Sequence, residues 1–174
     1  MVNHTRVACV WSEQAGRTGS GYVIRCQRGD LIFTAAHVVA GIERCQVRLH
    51  GGETWLGATV CWRDDIADVA VLLLDEPLTA DLGDEPDWAT CRNADVECSA
   101  IGYPRFQRRD GRADTEEFKG RLRAGSGLES KRLNLPHSAS ARPDDDWKGM
   151  SGAALFADGL LIGVITHADN DRLL

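Results

Sequence analysis

The sequence predicts an all-β fold. Three observations carry that expectation. Short apolar or alternating runs recur along the chain, each bounded by turn residues. The alternating strand–helix pattern that a parallel α/β sheet requires is missing. No internal repeat or low-complexity tract interrupts the runs. At 174 residues, one domain or two small fused halves can bury a real core.

The runs fall into two sets. The first occupies residues 5–11, 21–26, 31–34, 46–49, 58–62 and 69–74. Residues 35–41 read as one helical turn between them. Residues 75–87, with two prolines and many acids, read as a surface connector. The second set occupies residues 95–101, 117–122, 131–135, 153–156 and 161–166. Residues 105–114 are rich in charge and contain Asp110-Gly111, so they read as a mobile loop or a solvated hairpin tip. The expected division is therefore a first half at 1–78, a connector at 79–94 and a second half at 95–174.

Composition narrows the function classes. The net charge is −6, with acidic and basic residues interspersed. That favours solubility and argues against nucleic acid as the main partner. No segment is long and apolar enough to cross a membrane as a helix. The first residues, Met1 to Arg6, lack a basic start followed by an apolar run, so no secretory signal is visible. Six cysteines would permit a disulfide framework by number alone. A chain of this size does not need such staples. Cys9, Cys26, Cys45 and Cys61 lie in or beside apolar runs and read as small buried hydrophobes. No pair has Cys-x-x-Cys spacing, so a zinc site is not expected, nor is any other cofactor. Reduced thiols and a cytoplasmic location are the expectation.

Three segments carry chemistry. Gly149-Met150-Ser151-Gly152 places a serine between glycines. A hydroxyl is a poor nucleophile until a neighbouring base takes its proton. The glycines let the backbone turn tightly and aim N–H groups at a developing oxyanion. By itself such a segment is also an ordinary small-residue turn. The second segment, Thr34-Ala35-Ala36-His37, ends an apolar run on a histidine. In the third, Asp68 enters the apolar run Val69-Ala70-Val71-Leu72. A carboxylate there is costly unless it has a strong partner, and an imidazole N–H is one. Asp65, three residues earlier and outside the run, is its rival. The order His…Asp…Ser is one of the known chain orders for a catalytic triad.

Taken together, these three segments resemble the catalytic segments of trypsin/chymotrypsin-like serine peptidases, and the compact bacterial branch in particular. Gly19-Ser20-Gly21-Tyr22-Val23-Ile24 resembles that branch's first barrel strand, and residues 160–166 resemble the strand after its serine. The resemblance spans about residues 15 to 174. It implies two packed six-stranded antiparallel β-barrels with the active site between them, His37 and Asp68 on the first and Ser151 on the second. It implies Ser151 as nucleophile, His37 as general base and then acid, Asp68 as the orienting carboxylate, and the N–H groups of Gly149 and Ser151 as the oxyanion hole.

The implied substrate is a protein or peptide. The base of the specificity pocket, about six positions before the serine, falls on Asp145 within Asp144-Asp145-Asp146. A carboxylate there would select Arg or Lys before the scissile bond. His167 and Ala168 would form the pocket wall and the backbone that pairs with substrate. A histidine there would instead favour glutamate. Thr166 matches the position whose hydroxyl supports the buried aspartate.

Two departures stand out. Secreted relatives have an aspartate directly before the serine, paired with the amino terminus freed by zymogen cleavage. Here that residue is Met150. The chain also ends where relatives begin a final strand. The expectation is a peptidase domain from the N-terminal part of a longer bacterial protein, switched by another domain or partner or active without a switch. A peptidase-fold scaffold with little catalysis is the alternative from another class. A serine esterase of the α/β type fails on the missing strand–helix alternation.

Overall fold

The computed structural model describes residues 2–91, 95–123 and 147–166. A 3₁₀ turn at His4–Arg6 leads into β1 (Val7–Ser12), β2 (Arg17–Cys26) and β3 (Gly29–Thr34). A second 3₁₀ turn, Ala36–Val39, precedes β4 (Arg44–Leu49), β5 (Leu56–Asp64) and β6 (Val69–Leu74). These six strands close into a barrel in the order β1-β2-β3-β6-β5-β4, with β4 pairing back onto β1. Closure removes the free strand edges that would otherwise invite pairing with other chains. The barrel forms because β3 and β6 bury alternate residues, so one face of each points inward. Val10, Val23, Ile32, Val47 and Leu72 fill the interior, and Val38 and Val39 of the second 3₁₀ turn join the same cluster. Each such side chain contributes about 1.5–3 kcal/mol on full burial.

The second half contains β7 (Val96–Gly102), β8 (Arg108–Arg109), β9 (Arg112–Ala113), β10 (Glu116–Leu122), β11 (Ala154–Ala157) and β12 (Leu160–Val164). Of the two barrels expected, the first is closed. In the second half, the described strands form a four-stranded antiparallel sheet, β10-β7-β11-β12, and a separate hairpin, β8-β9. The strand expected at 131–135 lies outside the described residues. The charged segment at 105–114 contains the hairpin. Asp110 and Gly111 both take positive φ (52° and 78°), the conformation a two-residue hairpin turn demands.

The halves meet through a mixed cluster. Val7, Cys9 and Tyr22 of the barrel pack with Ile101, Tyr103, Phe156 and Leu161 of the second half. The Tyr22 and Phe156 rings meet edge-to-face, 5.3 Å between centroids. The connector adds a second tie. Leu161 donates its N–H to Asp87 and accepts from Ala89, so the connector runs along β12 and pairs with its edge. Between those residues, Trp88 stacks edge-to-face on Phe33 of β3. Arg6, fully buried, donates to the carbonyls of Leu82, Gly83 and Val23 and to the Glu85 carboxylate, fastening the first turn to the connector.

Two cysteines depart from expectation. Cys9 and Cys45 are buried, but Cys26 and Cys61 are exposed. Cys26 sits at the last residue of β2, beyond the buried stretch. Cys61 is the extra residue of a bulge between Val60 and Trp62, which breaks the inward–outward alternation. Burial pushes the Cys9 and Cys45 thiols up to about 11. At pH 8 about one in a thousand of these groups is therefore thiolate, the reactive form. Alkylation of the native protein with iodoacetamide, read by peptide mass spectrometry, is expected to modify Cys26 and Cys61 first and Cys9 and Cys45 last.

Candidate active site

His37 and Asp68 are brought together by the barrel. His37 rides the 3₁₀ turn that follows β3, and Asp68 stands at the threshold of β6, the strand paired with β3. Asp68 is 3% exposed. Its Oδ2 lies 2.8 Å from His37 Nδ1, and its Oδ1 accepts the His37 backbone N–H at 2.9 Å. Its carbonyl accepts the Ala36 N–H at 3.2 Å. An ionised carboxylate can only accept, so the facing Nδ1 must carry a proton. In the neutral ring that leaves Nε2 as the lone-pair nitrogen, the form a general base needs.

The approach to Asp68 is built by Asp64. Its Oδ1 accepts the N–H groups of Ile66 and Ala67 and folds the loop back on itself. Asp68 then takes a left-handed backbone, φ 58°. Aspartate tolerates that region better than most residues. Asp65, the rival carboxylate, is exposed and pairs with Arg63 at 2.9 Å. The geometry therefore assigns the histidine contact to Asp68.

Ser151 sits in a turn that spans residues 147–152. Met150 N–H donates to the Trp147 carbonyl at 3.0 Å, and Ala153 N–H to Met150 at 2.9 Å. Two glycines make the turn possible. Gly149 has φ 105°, and a Cβ there would run into the Tyr103 carbonyl. Gly152 has φ 93°, and a Cβ there would run into the Ser20 carbonyl and the Thr34 hydroxyl. The same Cβ would stand 3.0 Å from the Ala35 amide. The serine turn is thus pressed against the segment that leads into His37. Ser20 N–H completes the docking by donating to the Ser151 carbonyl at 2.7 Å. Among the described residues, neither the Gly149 N–H nor the Ser151 N–H has an acceptor. Donors left open beside a serine are what an oxyanion hole consists of.

Met150 is 3% exposed and belongs to the core cluster that includes Ala153, Phe118 and Leu122. Its thioether fills space where a carboxylate would need a cationic partner. Thr166 is half-buried just beyond β12. Asp145, His167 and Ala168 lie outside the described residues.

Sequence reasoning missed three residues that shape the site. Arg17 donates to the His37 carbonyl at 2.6 Å and to Ala40, bracing the turn that carries His37. Asp64 builds the loop before Asp68. Ser20 docks the serine turn. Only Ser20 left a signal: a small polar residue between two glycines, directly before the apolar run Tyr22-Val23-Ile24.

Fold and site together define a serine endopeptidase of the two-halved β type. The chain belongs to the trypsin-like peptidase domain family, whose model matches residues 19–164. No curated protein matches the chain. Solved structures agree on the fold. The inactive form of the Rv3671c protease of M. tuberculosis superposes with a TM-score of 0.64 at 21% identity, over 95% of this chain and 79% of that one. Deg5 gives 0.66 at 22%, over 95% and 80%. A serine endoprotease from Yersinia pestis gives 0.65 at 24%, over 94% of this chain and 54% of the other.

The packing at Gly152 yields a test. Gly152→Ala must move backbone atoms and adopt a strained φ. A loss of about 3 kcal/mol or more is expected from strain plus overpacking. Urea unfolding followed by tryptophan fluorescence measures it.

Proposed function

We propose that Ser151, His37 and Asp68 hydrolyse peptide bonds through an acyl-enzyme. The observation that carries this reading is the paired contact of Asp68 with both the ring and the backbone of His37, beside a serine turn with two open N–H donors. In this reading His37 Nε2 takes the Ser151 proton as Oγ attacks the substrate carbonyl carbon. The carbonyl π electrons move onto oxygen, and the Gly149 and Ser151 N–H groups stabilise that oxyanion. His37 then gives its proton to the leaving amine as the C–N bond breaks. Water, deprotonated by the same imidazole, attacks the acyl-enzyme and frees Ser151. Asp68 stays ionised, holding the tautomer and balancing the imidazolium charge.

The peptide before the scissile bond is proposed to end in Arg or Lys, with Asp145 as the counter-charge. The buried thioether of Met150 supports a further point. The position directly before Ser151 carries this thioether and no carboxylate for a freed amino terminus, which supports activity that is either intrinsic or controlled by another domain or partner.

A fluorophosphonate probe tests the chemistry. Labelling of the wild type is expected, with loss in Ser151→Ala and His37→Ala. Asp68→Asn, which presents the wrong tautomer, is expected to lower kcat by about 10⁴-fold. An unlabelled wild type without turnover on casein would favour the scaffold alternative. Cleavage of a diverse peptide library tests the pocket. Arg/Lys preference lost in Asp145→Ala supports it; an unchanged preference moves the pocket elsewhere, and cleavage after Glu points to His167.

A further inference from the structure

We propose that Ser20 is a positioning residue for the oxyanion hole, acting through the Gly149 carbonyl; this rests on the peptidase reading above. Ser20 lies on β2 of the barrel and is fully buried. Its N–H and its hydroxyl are committed across the junction, and its carbonyl to the neighbouring strand β3. Its N–H donates to the Ser151 carbonyl at 2.7 Å, and its carbonyl accepts the Thr34 hydroxyl at 2.7 Å. Its Oγ makes two contacts, with Tyr103 N at 2.9 Å and with Gly149 O at 2.6 Å.

The proton assignment follows from the partners. An amide N–H can only donate and a carbonyl can only accept. Ser20 Oγ must therefore accept from Tyr103 and spend its single proton on Gly149 O. Among the described residues the hydroxyl makes no other hydrogen bond, so it holds the Gly149–Met150 peptide by its carbonyl while the Met150 N–H holds it from the other side. The preceding peptide is held in the same way, because Lys148 O accepts Arg105 N–H at 2.6 Å. A trans peptide points its carbonyl and N–H in opposite directions. Holding Lys148 O therefore aims the Gly149 N–H the other way.

Gly149 lies between these two clamps. It is the residue most able to swing, since glycine crosses between positive and negative φ at little cost. Without the Ser20 hydroxyl, the Gly149–Met150 peptide keeps only the Met150 N–H bond to the Trp147 carbonyl, at 3.0 Å, so rotation at Gly149 can turn its N–H out of aim. Misplacement of a catalytic group by about 1 Å can cost about 10²-fold in rate.

The test compares wild type, Ser20→Ala and Ser20→Cys. A fluorophosphonate probe counts active sites, so rates are expressed per site. Ser20→Ala is expected to lower kcat per site about 10- to 100-fold with KM within about 3-fold, and to weaken a peptide aldehyde inhibitor by a factor similar to the fall in kcat/KM. The aldehyde forms a tetrahedral adduct whose oxygen uses the hole. Ser20→Cys keeps a side chain of similar shape but donates weakly. It is expected to fall between the other two, and it decides the matter if Ser20→Ala does not fold. An unchanged kcat per site in whichever variant folds, with only the melting temperature or the count of sites reduced, would overturn the proposal. Failure of the wild type to label or turn over would instead overturn the peptidase reading.

Discussion

One backbone hydrogen bond, from Ser20 N–H to the Ser151 carbonyl, sets the terms for the site. The pair His37–Asp68 is complete within the barrel. The serine turn belongs to the other half. Nothing local to either half fixes their separation. The Ser20–Ser151 bond does so at the junction itself, where Gly152 permits backbone to touch backbone. The mixed cluster around Tyr22 and Phe156 supplies apolar burial but little directionality. Hydrogen bonds supply the register, so burial brings the halves together and the β2 contacts determine how they meet.

The barrel arranges its charges by a similar logic. Asp68 is buried, yet its carboxylate has two N–H partners on one residue. Asp30 is also buried. Burial alone would raise its carboxyl, but Arg25 and the Leu78 N–H outweigh that and hold it below its ordinary value. Arg6 is enclosed by carbonyls and one carboxylate. Each buried charge thus has the fixed partners without which burial would be prohibitive. Those partners lie on the connector, on another strand or, for Asp68, on the 3₁₀ turn after β3, so the charges also specify how distant segments are laid against each other.

Much of this was legible in the residue order. Apolar runs at residues 31–34 and 69–74 marked strands, and the three chemical segments marked the site. These signals are local. What escaped depends on distance in the chain. Arg6 looked like part of a strand because its acceptors on the connector lie more than seventy residues away. Cys61 looked buried because a bulge is a property of strand pairing and not of one strand. Ser20 looked like strand filler, since its partners at 103, 149 and 151 are visible only when the halves are joined.

The left-handed backbone at Asp68 has a consequence for how such domains lose activity over evolutionary time. In the proposed triad two separate demands fall on one position: a charge for the histidine, and a side chain that tolerates positive φ. Relaxing the first does not relax the second. Asparagine satisfies the backbone demand and keeps an acceptor oxygen, whereas Glu or Ala meets the strained φ without that help. A descendant that kept the barrel but gave up catalysis would be under pressure to pass through Asn at this site. Its inactivity would then be written in a single amide, with the surrounding fold left as it was.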